Sequence, residues 1–132
     1  MQLHGRVEEL DWAKFLPGVF VIRVFHMTPD EEKNAPTLHD ALRPGYHHII
    51  LLDTATQGGQ DGGSGVSFNW SHVSNIPVPF LIAGGLTPDN VQEALTQSLA
   101  AGVDTSSGVE TEGQKDTAKI TAYVENARRV LS

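Results

Sequence analysis

Three stretches of this chain are apolar almost without interruption: residues 19–25 (VFVIRVF), 47–52 (HHIILL) and 80–83 (FLIA). A strand with one wet face alternates apolar and polar side chains. A continuously apolar run fits a strand covered on both faces, and in a chain of this kind that means a parallel sheet packed between layers of helix. The intervening segments supply the helices. Residues 7–16 carry Val7, Leu10, Trp12 and Phe15 at roughly helical spacing and stop at Pro17 and Gly18. Residues 28–34, polar and punctuated by Pro29, read as a loop, residues 36–42 as one or two helical turns ending before Pro44 and Gly45, and residues 70–75 as a short helix. Thr87 is read as an N-cap with Pro88 at the first helical position, followed by an apolar stripe of Val91, Ala94, Leu95 and Leu99. Asp116 or Thr117 caps a last helix whose apolar face is Ile120, Tyr123, Val124, Ala127, Val130 and Leu131.

With short strands at residues 1–4 and 102–104, the pattern makes about five βα units in one α/β domain spanning residues 1–132. A closed (β/α)8 barrel needs about 250 residues and at least about 200. Two architectures remain open: a doubly wound open sheet, or part of a barrel.

The chemistry gathers where strands end. Gly84 and Gly85 follow the apolar run 80–83 and lead into a helix; Asp104, Ser106, Ser107 and Gly108 follow the next strand. Alone, the glycine pair is equally a tight βα turn and a place where backbone approaches a phosphate. A second turn rich in Ser and Gly at the neighbouring strand end favours phosphate. Asp53 closes the run 47–52 and is followed by a Gly-rich loop, not by a helix it could cap, so a general acid or base is the favoured reading. Asp104 is read as structural support, bonding the Ser106 and Ser107 amides. Residues 58–65 (GGQDGGSG) are either an active-site lid or a solvated linker. They match neither a Walker A motif nor a dinucleotide fingerprint.

Composition removes several classes of function. The 132 residues carry a formal charge of −7, which argues against nucleic acid or an anionic membrane as partner, while backbone amides still allow a phosphorylated ligand. With no cysteine there is no disulfide or thiolate chemistry. His47 and His48 are adjacent on a strand and face opposite ways; His26, His39 and His72 have no partner at ligand spacing, so no metal and no cofactor is expected. Only His4, at a strand end before Gly5, sits where a site residue would. The opening residues MQLHG contain neither a basic nor an apolar leader, and the expected location is the cytoplasm.

Taken in order, QLHG (2–5), LLD (51–53), GGSG (62–65) with FNW (68–70), LIAGGLTPDN (81–90), GVDTSSGVE (102–110) and GQKD (113–116) resemble the phosphoribosylanthranilate isomerases of tryptophan biosynthesis, in a fungal style where this domain often ends a multifunctional polypeptide. The resemblance implies a (β/α)8 barrel of which this chain carries strands four to eight. It implies that Asp53 is the general acid, that His4 lies near the substrate, and that Gly84, Gly85, Ser106, Ser107 and Gly108 bind its phosphate. It also implies a general-base cysteine on strand one and a substrate-binding arginine on strand two, whose motifs do not occur here. Asn69 stands where many members have aspartate and Thr105 where many have valine, and neither departure is expected to touch the chemistry. The expectation is an N-terminally truncated isomerase with little activity of its own. A non-catalytic half-barrel, assembling with itself or with a complementing segment, is the alternative. A third reading, an indole-glycerol-phosphate synthase, is disfavoured by the motif order. An uncovered barrel interior of a few hundred Å² would cost several kcal/mol at about 25 cal/mol per Å², so marginal folding or self-association is expected.

Overall fold

The computed structural model describes residues 1–4, 18–42, 48–55 and 68–131. The helix expected at residues 7–16, the Pro44–Gly45 stop and the Gly-rich segment 58–65 lie outside the described residues.

Among the described residues, five parallel strands form the central sheet: β1 (Gln2–Leu3), β2 (Ile22–His26), β3 (Ile49–Asp53), β4 (Phe80–Ala83) and β5 (Gly102–Val103). Their spatial order is their chain order, β1-β2-β3-β4-β5, and every neighbouring pair is parallel. A doubly wound sheet reverses its strand order at a switch point. No reversal occurs among these five strands, and the doubly wound alternative is removed. The five strands form an open sheet, not a closed barrel. A small antiparallel pair, β6 (Glu110–Thr111) with β7 (Gln114–Lys115), follows β5.

The register sorts side chains onto two faces. Arg23 and Phe25, Ile50 and Leu52, Phe80 and Ile82 point one way and join the large core beneath the helices, with Leu86, Val91, Ala94, Leu95, Tyr123 and Ala127. Ile22, Val24, Leu51, Leu81 and Ala83 form a second, smaller cluster on the other face. Apolar burial on both faces is why these strands read as unbroken runs. Each fully buried side chain such as Leu52 or Ile82 stabilises the fold by about 1.5–3 kcal/mol. Arg23 is the polar exception. Buried, it lies 4.4 Å over the Phe25 ring and 3.6 Å from the Asp40 carboxylate.

Among the described residues, three helices cover the core face: α1 (Glu31–Ala41), α2 (Val91–Ser98) and α3 (Thr117–Leu131). Helix α1 corrects the reading of residues 28–34 as loop. Asp30 caps it, accepting from the Glu32 N–H, and the acidic pair Glu31 and Glu32 occupies the positive end of the helix dipole. Pro36 lies inside this helix instead of starting it. The buried Asn34 secures the entry, its amide donating to the Thr28 carbonyl and accepting from the Thr28 N–H. Residues 70–75 contain a 3-10 turn, Trp70–Val73, capped by Asn69.

Thr87 is not the N-cap of α2; Asn90 holds that position, and Pro88 lies in the turn before it. Leu99 does not join the apolar stripe. It is 68 % exposed and ends α2 in the left-handed conformation, at φ 60°. A side chain in that conformation costs about 1–2 kcal/mol that glycine avoids. Leu99→Gly is therefore expected to raise unfolding stability by about 0.5–1 kcal/mol after the added chain entropy, seen as a later urea midpoint at unchanged slope. For α3, Asp116 is the cap, accepting from Ala118 and Lys119. The Thr111 hydroxyl, ahead of those amides, holds its carboxyl below the usual range. Of the expected α3 face, Tyr123 and Ala127 are buried, while Ile120, Val124, Val130 and Leu131 remain exposed.

Candidate functional site at the carboxyl ends of the strands

All five strands of the sheet end on one side, and the polar residues singled out in the sequence lie there. Asp53 is the last residue of β3. The parallel register pairs it with His26 at the end of β2 and with Ala83 at the end of β4. Its two carboxylate oxygens have separate partners. Oδ1 accepts from the Ala55 N–H at 3.0 Å, and Oδ2 lies 3.3 Å from His26 Nδ1. The His26 ring in turn lies 5.7 Å from the His4 ring, tilted by 31°. His4, His26 and Asp53 thus form a row across three adjacent strand ends.

The first glycine turn packs directly against Asp53. Gly84 has φ +95° and Gly85 φ +67°, both in the region glycine alone adopts freely. A Cβ on Gly84 would collide with the Asp53 carboxylate and the Ala55 amide. Thr54, buried below, ties the two strand ends together by donating from its backbone and its hydroxyl to the Ala83 carbonyl. Asn90 shapes the far side of the turn, donating to the Gly85 carbonyl at 2.9 Å and accepting from the Thr87 N–H at 2.8 Å.

The second turn adjoins the first. The Thr105 hydroxyl donates to the Leu86 carbonyl at 2.7 Å. Gly108 presses on the same carbonyl so closely that a Cβ has no room. Thr105, set aside in the sequence as neutral, is therefore the link between the two turns. Asp104 plays a different part from the one expected. Its carboxylate makes no hydrogen bond to Ser106 or Ser107 among the described residues. Instead its backbone N–H extends the ladder to the Ile82 carbonyl, and its charge faces the buried Tyr123. Burial first, and that charge second, push the Tyr123 hydroxyl well above the ordinary tyrosine range.

Among the described residues, the amide N–H groups of Gly85 and Ser106 make no backbone hydrogen bond. A cation stands by as well. Lys115 reaches back from β7 to donate to the Ser106 carbonyl at 2.9 Å and hydroxyl at 3.1 Å, with Glu110 at 3.3 Å. Lys115→Met is expected to weaken binding of a phosphorylated ligand about fivefold, the effect of an exposed charged hydrogen bond of about 1 kcal/mol, with Lys115→Arg close to the parent. Titration calorimetry on the three proteins checks it.

No group of three or more His, Asp or Glu side chains among the described residues is arranged to hold a metal. Among the described residues, no helix is long and apolar enough to cross a membrane. His26 was the residue missed in the sequence. Its signal was present: it ends an apolar run just as Asp53 ends the next.

Fold and site define a parallel α/β protein whose polar groups converge at the carboxyl ends of consecutive strands. The family model for N-(5'-phosphoribosyl)anthranilate (PRA) isomerase matches residues 1–126, and the chain belongs to that family. It is 44 % identical over 124 residues to the multifunctional tryptophan biosynthesis protein of Schizosaccharomyces pombe, covering 94 % of this chain and 15 % of that protein. The N-(5'-phosphoribosyl)anthranilate isomerase of Pyrococcus furiosus superposes with a TM-score of 0.74 at 28 % identity, over 97 % of this chain and 61 % of that one. A phosphoribosyl anthranilate isomerase solved in complex with reduced 1-(o-carboxyphenylamino)-1-deoxyribulose 5-phosphate superposes with a TM-score of 0.69 at 28 % identity, over 97 % of this chain and 58 % of that one. The chain thus spans under two thirds of the isomerases it matches, and a smaller share of the multifunctional protein.

Proposed function

We propose that these 132 residues are one domain forming strands four to eight of a (β/α)8 barrel and carrying the acid-bearing, phosphate-gripping part of a phosphoribosylanthranilate isomerase, working in the cytoplasm. The unreversed strand order and the gathering of polar groups at the carboxyl ends of the strands support the barrel, where active sites sit on that face. The observation that carries the reading is the joining of the two glycine turns, through Thr105 and Leu86, beside the Asp53 carboxylate.

In this reading the substrate phosphate rests on Gly84, Gly85, Ser106, Ser107 and Gly108. Asp53 then faces the ribose end. Protonation of the furanose oxygen by Asp53 lets the C1′–O bond break, its electron pair passing to oxygen as the anthranilate nitrogen forms a Schiff base with C1′. A base removes the C2′ proton, giving the enolamine that tautomerises to the ketone. His4 lines the substrate side, and Asp104 lends structural support by tying the end of β5 to β4. The cysteine base and the arginine of the family's first two strands have no counterpart in these residues, which contain no cysteine. The chain therefore binds the phosphorylated ligand and isomerises little until a segment bearing the base joins it.

A complementing segment, or a second copy, is favoured by one observation: Ile120, Val124 and Leu131 leave an apolar row exposed along α3. Titrating the 132-residue protein with reduced 1-(o-carboxyphenylamino)-1-deoxyribulose 5-phosphate tests the reading. Amide shifts are expected at Gly84, Gly85 and residues 106–108, with turnover of phosphoribosylanthranilate at least a hundredfold below that of an intact isomerase. Absence of binding removes the phosphate grip, and turnover near the intact rate removes the need for a missing base.

A further inference from the structure

We propose that His26 is a positioning residue that holds and reloads the proton of the Asp53 acid, so that the His26–Asp53 pair, and not the carboxyl alone, is the proton donor. The inference rests on the isomerase reading above. An acid that gives its proton to the furanose oxygen must carry that proton on one carboxyl oxygen. Oδ1 of Asp53 is already an acceptor, bonded to the Ala55 N–H at 3.0 Å, and a protonated oxygen would oppose that donor. The proton therefore rides on Oδ2, which lies 3.3 Å from His26 Nδ1.

The two side chains differ in access. The Asp53 side chain is 24 % exposed and that of His26 61 %. After each ring opening the carboxylate is left without a proton and partly shielded, while the imidazole touches both it and water. His26 takes a proton from solvent at Nε2 and passes the one on Nδ1 to Oδ2; before the next turn the exposed ring exchanges through water from the resulting Nε2–H form back to the Nδ1–H form, so that one net proton enters for each proton delivered to the furanose oxygen. The groups facing the His26 ring among the described residues are Asp53 and His4, and the His4 ring, 5.7 Å away, flanks the imidazole and narrows its range of orientations. The parallel register pairs His26 with Asp53 as direct neighbours, so the arrangement is set by the sheet and not by a loop.

Two measurements test the relay. Long-range proton–nitrogen NMR on the 132-residue protein, recorded where the His26 ring carries a single hydrogen, is expected to find that hydrogen on Nδ1, and to find it move to Nε2 in Asp53→Asn. A hydrogen on Nε2 in both proteins overturns the proposal. In the isomerase completed with a segment carrying the first three βα units, His26→Ala is expected to lower kcat at least about tenfold, with affinity for the reduced product analogue within about twofold of the parent and partial recovery on adding imidazole. His26→Gln, which keeps a donor for Oδ2 but passes no proton, is expected to be as slow as His26→Ala. A His26→Gln enzyme as fast as the parent would refute the relay while leaving Asp53 as the acid. An Asp53→Asn enzyme as fast as the parent would refute the underlying assignment of Asp53 instead.

Discussion

Asp53→Asn is expected to slow phosphoribosylanthranilate isomerisation by about 10²–10⁴-fold in an isomerase completed with the missing base, the usual contribution of a general acid. The substitution is nearly isosteric. An asparagine oxygen still accepts from the Ala55 N–H and its amide still reaches towards His26, so the strand ends stay where they are. What is lost is the proton delivered to the furanose oxygen. Affinity for the reduced product analogue should change little, because the phosphate rests on the two glycine turns. Steady-state kinetics with parallel calorimetry separates these outcomes, and a loss smaller than tenfold in kcat would place the acid elsewhere.

The second large effect is steric. Gly108→Ala is expected to destabilise the protein by about 3 kcal/mol and to weaken phosphate-ligand binding more than tenfold. The methyl group has nowhere to go. The Leu86 carbonyl is in its way, and the Thr105 hydroxyl lies only 2.6 Å from where it would sit. Both belong to the junction between the two turns, so relief of the clash must pull β4's turn and β5's turn apart and break the Thr105–Leu86 hydrogen bond. Gly113→Ala is the control. Gly113, unlike Gly108, has positive φ, and a Cβ there meets nothing within 4 Å, so only the backbone strain of about 1 kcal/mol should appear. Urea unfolding of the two variants checks the contrast; equal losses would mean that the crowding at Gly108 relaxes freely.

Much of this architecture was legible from residue patterns, for physical reasons that differ from element to element. The runs 47–52 and 80–83 announced β3 and β4 because both faces of those strands are buried and leave no polar alternation to confuse the period. Helix α1 was hidden because Pro29 and Pro36 look like breakers. Its cap at Asp30 and the Asn34–Thr28 clamp outweigh the lost hydrogen bond, and that clamp depends on a buried side chain that local propensity does not register. Leu99 fitted a helical stripe by spacing alone, but α2 stops one residue earlier. At the site, Asp53 and the glycine turns were visible as polar ends of apolar strands. His26 ends an apolar run too, but its contact with Asp53, 27 positions away, and that of Lys115 with Ser106, 9 positions away, are not brought together by pattern alone.

The unreversed strand order has a kinetic consequence. Each strand pairs with the one before it, and the paired residues stand about twenty to thirty positions apart, as in Gln2 with Ile22 and Ile50 with Phe80. Parallel sheets usually fold slowly because distant segments must meet before any contact rewards them. Here no pairing spans more than one crossover, so each closure costs a similar and modest entropy. The sheet can then grow by accretion, one βα unit at a time, in the direction of ribosomal synthesis.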